Sequence, residues 1–350
     1  MSIFNNFFKK EAPLLGLQGS GGGLGFLAGG GGAKMLDATG GSVFEIGDYR
    51  WHVINSSSST KPISINKLAG DPNDNIIDFL VIGGGGGAGG GDNSYGGGGG
   101  AGGVIYRPAK PITTTGGPYP VIIGSGGSGL PIDGPNPGGQ PSTDGQDTVI
   151  GTGPIYFIAR GGGGGAAGAG YVFGTGGRPG GSGGGGGGGA SADGTVGNAT
   201  QPSQPGESGT YGHSGNGGTS GGGGGGGSGN GGNGPGSGGS GADGYQVPSG
   251  FLPPSVPGPL ASAISPITAP SPEFRHFGAG GAGNSSATGG AGGGGDGGPS
   301  DPISSLPNLP SAAYGVDGRG SGGASWTSNN PRSYAGDGGD GIIIFKYKFQ

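Results

Sequence analysis

The chain has 350 residues, of which 107 are Gly and 29 are Pro, and only 29% are hydrophobic and 10% charged. Gly and Pro are the poorest helix formers, which excludes an ordinary helical or doubly wound enzyme. A net charge of -5, from 15 basic and 20 acidic residues, suits neither a charge-rich disordered chain nor a nucleic-acid footprint. Collagen needs Gly at every third position, and here Gly comes in solid blocks. The absence of cysteine removes disulfides, thiolate metal sites and a catalytic thiol, and says nothing of compartment.

Residues 1–41 read as a separate N-terminal segment. Ser2 caps a short amphipathic turn with Ile3, Phe4, Phe7 and Phe8 on one side. Leu14, Leu15, Leu17, Leu24, Phe26 and Leu27 follow among glycines. So short a segment cannot bury this apolar surface alone, so it is expected to order against a partner protein. The basic pair Lys9 and Lys10 follows the first apolar cluster, and Glu11 and repeated Gly interrupt the rest, so no export signal is read. No stretch has the roughly 18 apolar residues that a membrane span needs, so no membrane insertion is expected.

Residues 42–350 are expected to form one domain. Ser42–Ile54 holds two alternating runs split at Gly47 and Asp48, a hairpin pattern. Ile76–Ile82 is a buried-strand run, and 102–107, 119–124 and 155–160 are further short strands. The chain closes on Gly-Ile-Ile-Ile-Phe-Lys-Tyr-Lys-Phe-Gln. There Ile343, Phe345, Tyr347 and Phe349 share one face. Ile342, Ile344, Lys346 and Lys348 share the other, apolar and then solvated. Its nearest apolar partners lie before residue 160, so this strand is expected to return and pair with them.

Between the strands lie the glycine blocks 83–87, 96–100, 161–165, 183–189, 221–227 and 292–295. Ordering a backbone residue costs roughly 1–2 kcal/mol, and Gly loses the most freedom. A packing that offsets this is an extended threefold helix like polyproline II, whose N–H and C=O groups point outward and satisfy those of neighbouring helices. Ala or Ser is then expected only at outward positions. The expected fold is therefore mainly β and irregular, with short antiparallel strands closing a packed polyglycine II bundle and almost no α-helix.

The common enzyme motifs fail. The strand-to-glycine run at 78–90 resembles a dinucleotide turn, but the required helix cannot follow in 89–100. One nonapeptide calcium match at 238–246 lacks the tandem copies that such sites need. His52, His213 and His276 have no paired ligand spacing. His52, between Trp51 and Val53, reads as a half-buried strand residue, and Asp337 and Asp340 as turn formers. No serine has a base and orienter, so no enzyme, metal or cofactor is expected.

Two long inserts, 243–277 and 300–335, carry aromatics and Pro and are not expected to join a glycine lattice. Tyr245, Phe251, Phe274, Phe277, Tyr314, Trp326 and Tyr334 lie on them. Aromatics on loops over a rigid base give large contacts at low entropic cost. Each could equally pack on the core as a lid.

The block order is Tyr-Arg-Trp-His-Val-Ile, Asp-Phe-Leu-Val-Ile into glycine, Tyr-Pro-Val-Ile-Ile-Gly, Ile-Tyr-Phe-Ile-Ala-Arg-Gly, and a closing Gly-Ile-Ile-Ile-Phe-Lys-Tyr. This resembles the glycine-rich domain of bacteriophage and aquatic-virus virion proteins over roughly 43–350. It is similar in block order to the tail-fibre tip adhesins of contractile-tailed phages, whose polyglycine helices stack into a sandwich carrying receptor-reading loops. The Pro-rich insert and the N-terminal segment depart from that pattern. The resemblance implies a virion location on tail or capsid exterior, with other virion proteins bound through residues 1–41. It implies host-surface glycan or protein contact through the aromatics above, with Asn329, Asn330 and Arg332 supplying hydrogen bonds. A homo-oligomer is left open. The alternative is a structural virion component, a capsid decoration or tail-assembly protein.

Overall fold

The structure is a computed structural model describing residues 35–58, 61–90, 95–129, 132–133, 142–151, 155–168, 176–189, 192–202, 221–232, 238–252, 256–264, 272–284, 287–297, 314–326 and 332–350. The strands run in chain order as β1 (Asp37–Thr39), β2 (Ser42–Ile46), β3 (Tyr49–Ile54), β4 (Ile63–Lys67), β5 (Ile76–Ile82) and β6 (Val104–Pro111). There follow β7 (Gly116–Tyr119), β8 (Val121–Ile122), β9 (Ile132–Asp133), β10 (Thr148–Ile150), β11 (Phe157–Ala159), β12 (Gly188–Gly189) and β13 (Ala192–Asp193). The last are β14 (Tyr245–Gln246), β15 (His276–Phe277), β16 (Ser325–Trp326), β17 (Arg332–Ala335) and β18 (Ile342–Lys348). A single α-helix is described, α1 (Gly258–Ile264), beginning among prolines that a first helical turn tolerates.

The closing strand does return. β18 is the centre of a five-stranded antiparallel sheet ordered β2-β3-β18-β5-β6. One face carries Ile343, Phe345, Tyr347, Ile77, Phe79 and Val81 into a core shared with the small sheets β1-β4-β7 and β11-β10-β8. The other carries Ile342, Ile344, Leu80, Ile82, Trp51 and Val53 against Val247, Phe251, Leu252, α1, Phe274 and Phe277. Burial on both faces accounts for the apolar runs Phe79–Ile82 in β5 and Ile342–Phe345 in β18. It also corrects the expectation that Lys346 is solvated. Its ammonium lies 4.1 Å from the Tyr49 ring centre and 5.4 Å from that of Trp51, and it donates to the Gly250 carbonyl. Burial lowers its pKa, with Asp78 acting in the opposite sense.

The N-terminal boundary also moves. β1 pairs with β4, and Leu36 and Ala38 are buried in the first core, so the folded domain already includes Leu36. Phe4, Phe7, Phe8, Leu14, Leu15, Leu17, Leu24, Phe26 and Leu27 lie outside the described residues.

Beyond the sheet the glycine segments form a bundle whose hydrogen bonds repeat every three residues. Gly83, Gly86 and Gly89 donate to the carbonyls of Gly103, Gly100 and Gly97. Gly84 and Gly87 donate to Gln146 and Thr143, and Gly85 and Ala88 to Gly339 and Gly336. The segment 97–103 does the same: Gly97, Gly100 and Gly103 reach Ala166, Gly163 and Arg160, while Gly98 and Ala101 reach Gly222 and Gly225. Gly99 and Gly102 reach Gly323 and Gly320. A strand points its groups two ways, whereas these point three ways, each to a different neighbour.

Aspartates serve the bundle margin. Asp144 and Asp147 accept from the N–H groups of Gly164 and Gly161, both at 2.9 Å. Asp337 and Asp340 accept from Gly129 and Gly126 at 2.7 and 2.9 Å, so they are backbone caps rather than turn formers alone. Ala and Ser, expected only at outward positions, are found inside. Ala88, Ala101, Ala282 and Ala324 are fully buried, and Ala282, Ala287 and Ala324 share one small cluster. Methyls there fill a common gap, and buried Ser142 and Ser321 donate to the carbonyls of Gly165 and Gly292.

A Cβ at Gly224 would overlap the Gly99 carbonyl, a backbone atom that no rotamer change can move. Gly224→Val is therefore expected to cost at least about 3 kcal/mol. Gly250→Ala, where a Cβ meets nothing within 4 Å, should leave stability nearly unchanged. Thermal unfolding of the two variants checks this; equal melting temperatures would show that the bundle tolerates expansion.

Candidate recognition surface

The bundle has two different ends. β5 runs into it from Ile82 to Gly83, β6 leaves it from Gly103 to Val104, and Gly341 leads back into β18. These junctions lie at the sheet end. At the opposite end the segments turn back: the Gly168 N–H donates to the Gly90 carbonyl, and Tyr95 and Gly188 exchange both backbone hydrogen bonds. Two small sheets sit there, β12-β13 and β16-β17-β9. The far end thus carries connections, while the sheet end carries the apolar cores.

The structure brings some of the expected contact residues together and removes others. Trp326 and Tyr334 are direct register partners on β16 and β17, and Arg332 is opposite Asp133 on β9. Asn329 and Asn330 fall between those strands, outside the described residues. Tyr314 is 38% exposed, one residue before Gly315, whose N–H donates to the Asp337 carbonyl.

The insert 243–277 is a correction. Phe251 and Phe277 are fully buried and Phe274 is 4% exposed, so none of the three belongs to a contact surface. Tyr245 is half-buried, its ring 6.3 Å from that of Tyr106. The second face of the central sheet would otherwise lie open, and Val247, Leu252, Leu260 and Ile264 supply an apolar cover. Part of the other insert is corrected too: Gly320, Gly322 and Gly323 join the bundle through Asp340, Ala279 and Gly86. Arg319 gave no signal in the sequence. Its fully buried guanidinium donates to the Phe274 and His276 carbonyls and lies 5.0 and 4.8 Å from the Phe274 and Phe277 ring centres. It pins the cover to the bundle.

A cluster of titratable side chains lies at the sheet end. His52 is fully buried, not half-buried as the alternation suggested. It stacks on Phe345 at 4.2 Å, its Nδ1 is 2.8 Å from the Gly40 carbonyl and its Nε2 is 3.3 Å from the Tyr347 hydroxyl. That hydroxyl accepts from the Ala38 N–H at 3.0 Å and from Arg50 at 3.3 Å. Arg50 also pairs with Asp37 and Glu45. Burial opposes the Arg50 charge, but hydrogen bonds to Tyr347 and Glu45 outweigh it and raise its pKa. Burial raises the Tyr347 pKa. The cluster ties β1 to β3 and β18 and is a structural latch.

Burial lowers the His52 pKa from 6.5 to about 4, with the Gly40 hydrogen bond opposing. The unfolded chain then binds this proton before the folded one does. The contribution is complete above pH 6.5 and is lost as pH falls toward 4, by about 3 kcal/mol. Urea unfolding at pH 7, 5.5 and 4.5 should show this loss, and His52→Gln should flatten it. An unchanged slope in the variant would assign the acid sensitivity elsewhere.

Among the described residues, no group of three or more His, Asp or Glu side chains is placed to hold a metal ion, and no helix is long and apolar enough to cross a membrane. No curated protein matches the chain. A family model described as a glycine-rich domain matches residues 68–348, from just after β4 to the end of β18. That span holds the whole described bundle and most of both cores, and on it this chain belongs to the glycine-rich domain family.

Proposed function

We propose that this chain is a bacteriophage virion protein, a tail-fibre or tail-tip adhesin, whose bundle is a polyglycine II sandwich presenting receptor-reading loops. The observation that carries this reading is the gathering of connections at the bundle end remote from the apolar sheet. Loops over a backbone fixed in three directions are where binding residues are best held. Trp326, Tyr334 and Arg332 on the β16-β17-β9 sheet, with Tyr314, Asn329 and Asn330, form the proposed contact set. Sugar rings of a host-surface glycan would stack on the aromatic faces, and the amides and guanidinium would bond their hydroxyl or acidic groups. On this reading the sheet end faces the particle, on the exterior of tail or capsid, and the N-terminal segment binds a neighbouring virion protein.

Replacing Tyr314, Trp326 and Tyr334 together with Ala should abolish adsorption of the purified protein to host cells and leave the melting temperature nearly unchanged. A large drop in melting temperature would make these residues lids on the bundle. Full adsorption by a stable variant would favour the structural reading, a capsid decoration or tail-assembly protein. Deleting residues 2–34 should leave a folded domain that no longer joins its particle, whereas deletion through Gly41 also removes Leu36 and β1 and should lower stability. Circular dichroism and particle incorporation separate these outcomes.

A further inference from the structure

The bundle margin is closed by side chains in a repeating way. Asp144 and Asp147, three residues apart, cap Gly164 and Gly161, which are also three apart. Asp337 and Asp340 cap Gly129 and Gly126 with the same spacing and the same reversed order. Inside the bundle this is the pattern that one antiparallel glycine segment makes with another, as in Gly85 and Ala88 with Gly339 and Gly336. At the margin, carboxylate oxygens stand where the carbonyls of a further segment would be. The Gln201 side chain does the same beside β11, accepting from the Arg160 N–H at 2.9 Å and donating to the Ile158 carbonyl at 3.2 Å.

A bundle of this kind has no intrinsic size. Any outer segment with a free row of N–H groups accepts another glycine segment, as an open sheet edge accepts another strand. The chain supplies such segments in quantity, so the nearest source is a second copy of itself. A side-chain acceptor blocks this by taking the donor itself, and a carboxylate does so with a charge-assisted hydrogen bond.

We propose that the paired aspartates Asp144/Asp147 and Asp337/Asp340 are terminators that keep two margins of the glycine bundle closed to a glycine segment of a second copy. The margins are thus latent self-association surfaces, and the spacing of three residues between aspartates is the mark of a closed one. This does not depend on the function proposed above.

Asp337/Asp340 is the cleaner pair to test, because Asp144 and Asp147 also hold Arg178 and Arg160 at 2.8 and 2.9 Å. In the full chain, Asp337→Ala with Asp340→Ala should raise amide exchange at Gly126 and Gly129 at least tenfold in dilute solution. At higher concentration it should form oligomers that the parent does not form under the same conditions, read by sedimentation velocity. Asp337→Asn with Asp340→Asn keeps an acceptor oxygen at each cap and should match the parent in both readouts. If the double Ala variant fails to fold, each single Ala variant should show the same changes at one glycine and weaker association. Folded Ala variants, double or single, that associate no more than the parent would overturn the proposal. Asn variants that associate as strongly as the Ala variants would overturn it too, since charge alone would then close the margin.

Discussion

Backbone hydrogen bonding between segments that have no side chains is the interaction on which the rest of this structure depends. A glycine segment has nothing apolar to bury, so its order must come from its own N–H and C=O groups. A net hydrogen bond contributes about 1 kcal/mol, while fixing a residue costs roughly 1–2 kcal/mol. The bundle is therefore not self-sufficient on hydrogen bonds alone. Close backbone packing adds dispersion, and the two apolar cores fixed to one end supply what the glycines cannot. β5, β6 and β18 run without interruption from the sheet into the bundle, so the sheet sets the positions of the first glycine segments and the others are built on them.

This coupling explains features that look unrelated along the chain. The central sheet has two apolar faces and needs two covers. One comes from the small sheets around Ile63, Ile150 and Phe157, latched by Tyr347 and His52. The other comes from a Pro-rich insert that forms α1 and is held by Arg319. Arg319 itself sits in the chain just before Gly320, which joins the bundle, so a single short stretch fastens the cover and the lattice to each other. The small sheets β12-β13 and β16-β17-β9 lie at the other end, away from these two cores.

Much of this was legible in the residues. The hairpin at 42–54, the strand Ile76–Ile82 and the return of the closing segment follow from alternation and apolar runs; the first two bounds match, and the last strand ends at Lys348. Composition groups Trp326 with Tyr334, and the register makes them partners. The role of the insert 243–277 is not legible locally, because its aromatics are scattered among Pro and Ser without period. Burial of Phe251 and Phe277 depends on an open sheet face elsewhere, which local sequence does not reveal. Lys346 misled for the same reason: alternation places it on the second face, and the aromatic rings that hold it come from β3.

The sequence by itself determined that backbone, not side chains, would hold most of this protein, because glycine blocks leave no other donors or acceptors. It also determined that the last strand would close the domain, because the apolar strand runs it could pair with lie before residue 160. Tertiary structure decided which segment neighbours which, since glycine carries no side chain to specify a partner and register passes from the sheet inward. It decided where Ala and Ser fit, as methyls are tolerated only where neighbouring segments leave a shared gap. And it decided that aspartates three apart are caps, because that role exists only once a second segment places its N–H groups at the same spacing.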